Sequence, residues 1–310
     1  MKAVLFEKHG GPDVLHLAEV PDPIAAPGEV VVDIHAASVN AADYKVRLGG
    51  GAYSSSGVKL PHILGRDFSG VVSAVGPGVT DLRVEDPVFG VCDQGIEGAY
   101  AEKIAIKAAI IARKPARLGH AEAAAMALTS LTALWALEDT AKLKPGETIL
   151  IQGGAGGVAG FAIQLAKHLG ATVITTASAR NHDYVRRLGA DRVVDYNTED
   201  FTKVVADCDV VFDTVGGDVQ VRSYEVLKPD GRLVWIAPAP AGFQPIRTDV
   251  QVLRPGVARD RAHLGRMLEL LEAGAVSPPA ITRYKLADAA EAHRVSESRH
   301  LQGKLVFETR

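Results

Sequence analysis

The sequence predicts an α/β protein built in two parts, and three observations predict it. Up to about residue 118 the chain is β-rich and punctuated by Gly and Pro. From Glu147 onward short β runs alternate regularly with helical segments. A glycine-rich turn, "GGAGGVAG", sits between the first of those β runs and the first of those helices. Strand–helix alternation is the pattern of a parallel sheet with crossover helices.

In the first part, "EVVVDIHAASV" and "DFSGVVSAVGPGV" read as long strands, with "DPVFGVC" and "AYAEKIAI" following at short intervals. "PDPIAAPGE", "LGGGAY" and "VGPGV" supply the turns between them. "GHAEAAAMALTSLTALWALEDTAKL" is rich in helix formers, and "LKPGET" stops it. The alternating part then runs "TILIQG", "ATVITTA", "DRVVDY", "DVVFDTV" and "GRLVWIA", with helices expected at 156–169, about 180–189, about 199–206 and 217–228. A further helix, "ARDRAHLGRMLELLEAG", precedes a closing strand–helix–strand.

At 310 residues the chain is longer than one typical core, so two domains are expected. Its 47% apolar and 23% charged residues are those of a soluble globular protein. A net charge of −3 offers no bulk attraction to nucleic acid or to anionic lipid. No apolar run approaches the ~20 residues of a spanning helix. Glu7, Lys8 and His9 stand where a signal peptide needs its apolar run, so a cytoplasmic location is expected. Cys92 and Cys208 form no C-x-x-C pattern and read as two buried thiols.

The glycine turn carries the first chemical reading. As G-x-G-x-x-A, its small positions are Gly154, Gly156 and Ala159. Small residues there let the backbone of Gly154, Ala155, Gly156, Gly157 and Val158 approach a pyrophosphate at a helix N-terminus. Strand before, helix after and a second strand about twenty residues on make dinucleotide binding the expectation. An NAD site usually has Asp or Glu at the end of that second strand. This chain has "TTASARNHDY", with Ser178 and Arg180 ahead of any carboxylate. A hydroxyl and a guanidinium suit a 2′-phosphate, so NADPH is the expected cofactor.

Read in order, "ASVNAADYKVRLG", "PHILGRDFSGVVSAVGPGV", "DPVFG", "GAYAEKIAI", "AAAMALTSLTAL", "LKPGETILIQGGAGGVAGFAIQLAKHLGA", "GADRVVDY", "DVVFDTVGG", "LKPDGRLV" and "GKLVFE" carry a likeness. Over nearly its whole length the chain resembles the medium-chain dehydrogenase/reductase superfamily, in its zinc-free quinone oxidoreductase and enone reductase branch. The resemblance implies a GroES-like β-barrel domain from residues 1–118 and 268–310. It implies a doubly wound Rossmann NADPH-binding domain from residues 119–267, with the active site in the cleft between them. Two positions depart from the family pattern. Ala159 replaces a glycine that the general fingerprint allows to be alanine, and Glu85 replaces a glycine in what reads as a surface change.

Zinc-dependent relatives gather a Cys, a His and a second Cys or carboxylate. Here Asn40 stands at the first Cys position and Arg66 in "LGRD" at the His position. A guanidinium has no lone pair to give and repels a cation. No metal ligand is therefore expected, and His35 and His62 read as strand or loop residues.

The resemblance places Asn40 beside the nicotinamide, and Asp43 reads as structural. Lys45 and Tyr53 are candidates to donate to a developing oxyanion, Tyr53 from the loop "GGGAYSSSG". Thr129 and Thr132 lie on a helix that reaches the nicotinamide in the family; their other reading is hydroxyls bonding back to their own helix. Tyr196, Val215 and Lys304 are weaker cofactor contacts. Together these imply hydride transfer from NADPH to a quinone or an α,β-unsaturated carbonyl. Alternatives are an enoyl-thioester reductase, with Arg254, Arg259 and Arg261 at its mouth, and a non-catalytic NADPH-binding protein. The resemblance also implies a homodimer through the sheet edge near "RLVWIAPAP", with no nucleic-acid or membrane partner.

Overall fold

The computed structural model describes residues 1–49, 58–93, 95–256 and 258–309. They form two compact units, one from residues 1–128, 258–266 and 278–310, the other from residues 129–257 and 267–277.

The first unit is β-rich. β1 (Lys2–Phe6) lies between β2 (His16–Glu19) and β4 (His62–Ile63) in a three-stranded antiparallel sheet. The larger sheet is built around β3 (Glu29–Ser38). One edge of β3 pairs along its length with β5 (Asp67–Val75). Its other edge takes β7 (Lys103–Lys107) over the first half and β16 (Lys304–Glu308) near the end. β6 (Pro87–Val91) and β8 (Ile111–Arg113) extend the β5 side, and β15 (Ile281–Lys285) runs parallel to β16. Val30, Val32 and Ile34 alternate along β3 and meet Phe68, Val72, Val88, Ile111 and Phe307 in one buried cluster, as the period of a strand requires. α1 (Ala41–Leu48) leaves the end of β3, and α8 (Ala289–Glu297) joins β15 to β16. Glu85 is exposed, as a surface change should be, but its φ is 74°, in the left-handed region that glycine enters without cost.

The second unit is a parallel sheet. β9 (Thr148–Gln152), β10 (Thr172–Thr176), β11 (Arg192–Val194), β12 (Cys208–Asp213), β13 (Leu227–Trp235) and β14 (Gln251–Leu253) lie in the order β11-β10-β9-β12-β13-β14. Every pairing is parallel. α3 (Gly157–His168), α4 (His182–Arg187), α5 (Phe201–Val204) and α6 (Asp218–Ser223) make the connections. Ile149, Leu150 and Ile151 of β9 are all fully buried, as in a strand covered on both faces. The strand runs foreseen from Glu147 to Ala237 all appear. β14 was not foreseen: three residues ahead of Arg254 and Pro255 carry no strand pattern, and only the register of Gln251 against Arg232 makes them one. It displaces β13 from the sheet edge.

α2 (His120–Leu134) is apolar all round, with Ala123 to Ala127 fully buried, and continues into a π-helix at Trp135–Thr140. α7 (Arg261–Glu272) is amphipathic, burying Leu264, Met267, Leu270 and Leu271. Among the described residues no helix is long and apolar enough to cross a membrane.

Candidate active site

The chain leaves β9 into Gly153, at φ 77°. The N–H of Gly153 donates to Oγ1 of Thr176 at 3.0 Å, and that hydroxyl donates to Oε1 of Gln152 at 2.8 Å. The N–H of Gly154 donates to the Thr176 carbonyl at 2.9 Å. The turn is thus fastened to the end of β10. Gly156 is the N-cap of α3 in extended geometry with no side-chain cap. Among the described residues no side chain therefore competes for the N–H groups at the start of this twelve-residue helix, around Gly157 and Val158. Val215, just past β12, stands against the turn: a β-carbon on Gly153 would lie 3.0 Å from its Cγ2. The turn thus occupies the crevice between β9 and β12, where the strand order reverses and α/β sheets bind nucleotides. An uncapped, dipole-positive helix end that is half-buried, a small-residue cradle and a crevice fit a dinucleotide pyrophosphate.

Beyond β10, Ser178 is half-buried and precedes a single turn, Ala179–Asn181, without capping it. Its Oγ accepts from Nδ2 of Asn181 at 3.3 Å, which leaves its own hydrogen to give. Arg180 is exposed on the next turn. The first carboxylate, Asp183, is exposed and lies 3.6 Å from Arg186. A hydroxyl and a cation that precede the first carboxylate along the chain fit the 2′-phosphate of NADPH. Tyr196, after β11, is 46% exposed. On α2, Thr129 is buried and Thr132 half-buried, three residues apart and so on one face.

The first unit assembles the polar group around Asn40. Its backbone N–H donates to Oδ2 of Asp43 at 2.9 Å, closing the first turn of α1. Its side chain does not cap the helix. Nδ2 donates to Oδ1 of Asp67 at 2.9 Å and to the Ser38 carbonyl at 3.3 Å, while Oδ1 accepts from Nζ of Lys304 at 2.6 Å. Lys304 also donates to the Val39 carbonyl at 2.7 Å, so the ammonium expected to touch the cofactor is engaged inside this unit. Burial pushes the Asp67 carboxyl up against the pull of Lys304, and pushes the Lys304 ammonium down against the pull of Asp67.

A second network holds α1. Tyr100 donates to Oδ2 of Asp43 at 2.8 Å, and Nε of Arg66 lies 3.5 Å from Oδ1. Arg66 continues to Glu97 at 2.9 Å, and Glu97 to His62 at 3.2 Å. Arg66 at the zinc-ligand position is thus a structural ion pair, and Asp43 is structural too. Burial, opposed by Arg66, raises Asp43 to about 6. Lys45, one turn along α1, is half-buried, with no hydrogen-bond or ion-pair partner among the described residues. Burial and then the charges of Arg299 and Arg66 lower its pKa. Tyr53 lies outside the described residues. Of the three arginines considered for a thioester, Arg261 is tied to Asp81 and to the carbonyls of Ala108 and Ile111. Arg259 donates to the Cys92 carbonyl at 3.2 Å, and Arg254 stacks 5.3 Å over Trp235.

Sequence reasoning missed Asp67, Gln152 and Thr176. "GRD" offered Asp67 only as the neighbour of Arg66, and the two strand-end polar residues look like ordinary β residues until their partners are seen. Among the described residues no three His, Cys, Asp or Glu side chains gather as a metal site needs.

Residues 26–116 match the family model described as alcohol dehydrogenase GroES-like domain, and residues 188–307 the one described as zinc-binding dehydrogenase. Over 319 residues the chain is 33% identical to the chloroplastic NADPH-dependent alkenal/one oxidoreductase of Arabidopsis thaliana, covering 99% of this chain and 79% of that protein. It is 34% identical over 304 residues to phthioceranic/hydroxyphthioceranic acid synthase of Mycobacterium tuberculosis, covering 91% of this chain but spanning only 14% of that protein's length. Its fold matches the quinone oxidoreductase from Coxiella burnetii with TM-score 0.93 and 36% identity, covering 100% of this chain and 99% of that one. With Asn40 and Arg66 where zinc-dependent relatives place ligands, the chain belongs to the medium-chain dehydrogenase/reductase superfamily, in its zinc-free quinone oxidoreductase and enone reductase branch.

Proposed function

We propose that this chain reduces quinones or α,β-unsaturated carbonyls with NADPH, without a metal. The observation that carries the reading is the uncapped start of α3 in the β9–β12 crevice, followed after β10 by Ser178 and Arg180 rather than a carboxylate. The similarity to an NADPH-dependent alkenal/one oxidoreductase and to a quinone oxidoreductase supports the same acceptor class. NADPH, when bound, supplies the hydride. The chain's part is to hold the pyrophosphate at Gly154, Ala155, Gly156, Gly157 and Val158, and the 2′-phosphate at Ser178 and Arg180. Lys45 offers an ammonium hydrogen to the charge that develops on the acceptor oxygen.

An enoyl-thioester is the second acceptor class. In its favour, Lys45 and Arg299 have no acidic partner among the described residues, which leaves positive charge for an anionic carrier. We further propose a cytoplasmic homodimer joined through the β14 edge of the parallel sheet. The loss of reduced-nicotinamide absorbance is followed with a quinone, an enone, an enoyl-CoA and no acceptor. Turnover with the first two supports the reading, preference for the third moves it to thioesters, and binding of NADPH without turnover leaves a non-catalytic protein. Light scattering reads the subunit number.

A further inference from the structure

We infer that Lys304 and Asp67 are positioning residues that fix the carboxamide of Asn40 with both hydrogens turned into the protein, so that Asn40 serves the reduction site as a hydrogen-bond acceptor and not as a donor. The inference rests on the reading that Asn40 lies at the reacting end of the first unit. Nδ2 has two hydrogens, and both have acceptors: Oδ1 of Asp67 at 2.9 Å and the Ser38 carbonyl at 3.3 Å. Oδ1 has two lone pairs, and Lys304 takes one at 2.6 Å. What remains is a single acceptor site on Oδ1.

Flipping the amide would turn its NH2 toward an ammonium and its oxygen toward a carboxylate. Each contact would become repulsive in a place where Asp67 is fully buried and Lys304 only 5% exposed. The orientation is therefore set by opposite charges on its two sides. Asp67 is itself fixed by the Ser38 hydroxyl at 2.8 Å, and Lys304 by the Val39 carbonyl at 2.7 Å. The five residues come from the end of β3 and the turn into α1 (Ser38, Val39, Asn40), the start of β5 (Asp67) and the start of β16 (Lys304), so the arrangement exists only once the sheet has closed.

A buried ammonium and carboxylate that hold one polar side chain in so defined an orientation are costly as a stability device. They suit a site where the orientation of one amide matters. The group presented with an acceptor is an N–H or O–H of the bound ligands, such as the carboxamide of the nicotinamide ring.

The test begins with the protein free of cofactor. Side-chain amide NMR of uniformly labelled protein should show both Nδ2 hydrogens of Asn40 slow to exchange, and Lys304→Met should make them fast. Free exchange in the wild type overturns the inference. In turnover, Lys304→Met should lower kcat roughly tenfold or more with NADPH affinity within about twofold, as a misplaced site group does. In an Asn40→Ala background the same change should cost nothing further, because Lys304 acts through Asn40. Additive losses, or a loss of NADPH affinity in place of kcat, overturn it. If Lys304→Met does not fold, the charge-balanced pair Asp67→Asn with Lys304→Met removes the uncompensated buried carboxylate and reads the same two quantities. Wild-type protein that turns over no acceptor sinks the functional reading, while the exchange measurement still decides the orientation of Asn40.

Discussion

A β-carbon at Gly154 would lie 2.2 Å from Oγ1 of Thr175, a hydroxyl already committed to the Ile151 carbonyl at 2.6 Å. The glycine of this turn is thus required by the second strand that lies beneath it.

Gly154→Ala should therefore lower stability by about 1–3 kcal/mol, the usual cost of overpacking, and weaken NADPH and NADH together. Adding Thr175→Ala should restore much of both, since it removes the atom in the way. Chemical denaturation and cofactor titration measure the two effects. A Gly154→Ala protein with unchanged midpoint would show that the turn can shift.

Arg180→Ala should raise the NADPH dissociation constant about tenfold and leave that of NADH unchanged, since only NADPH has the phosphate. Because Arg180 is exposed, the difference should shrink as salt is added. If the NADPH/NADH preference survives the change, Ser178 is the next residue to test.

Lys45→Met should lower kcat with little effect on NADPH affinity, as loss of a donor to a developing oxyanion does. Burial and the neighbouring guanidiniums hold the Lys45 ammonium below its usual range. The alkaline fall in wild-type activity should accordingly begin below the ordinary lysine pKa and be missing from the variant. An identical alkaline limb in both proteins would assign it to another group.

Stability should fall on acidification. Burial holds His293 at about 3 and His120 at about 4, so both stay neutral in the native protein while the unfolded chain takes up protons near 6.5. Their contribution is complete above about 6.5 and is lost as pH drops toward those values. Asp43, raised to about 6, runs the other way: its contribution is complete below the unfolded value near 4 and is lost as pH rises through 6. His293→Asn should flatten the acid loss between pH 4.5 and 7, and Asp43→Asn should steepen it. Urea midpoints at the two pH values read both slopes.

Glu85→Gly should raise stability by about 1 kcal/mol, because the residue is exposed and sits at φ 74°, where an L side chain is strained. Thermal melting reads the gain. A destabilised variant would mean that the Glu85 side chain contributes more than its backbone costs.

The order of β runs and helical segments and the glycine turn between β9 and α3 were legible in the sequence because each is local. Strand alternation, a turn and a helix start are decided by residues a few positions apart. So was the replacement of zinc ligands by Asn40 and Arg66, which needs only residue identity. What the tertiary structure alone decided is where long-range partners meet. The sequence reads Lys304 as a cofactor contact, and only when β16 closes against β3 does its ammonium meet Asn40, 264 residues away. Thr176 and Gln152 become fasteners of the glycine turn only when β10 pairs with β9, and β14 becomes a strand only by its register with β13. A side chain's hydrogen-bond partners depend on strands brought together by burial, and periodicity along the chain says which face a residue takes but not what lies opposite it.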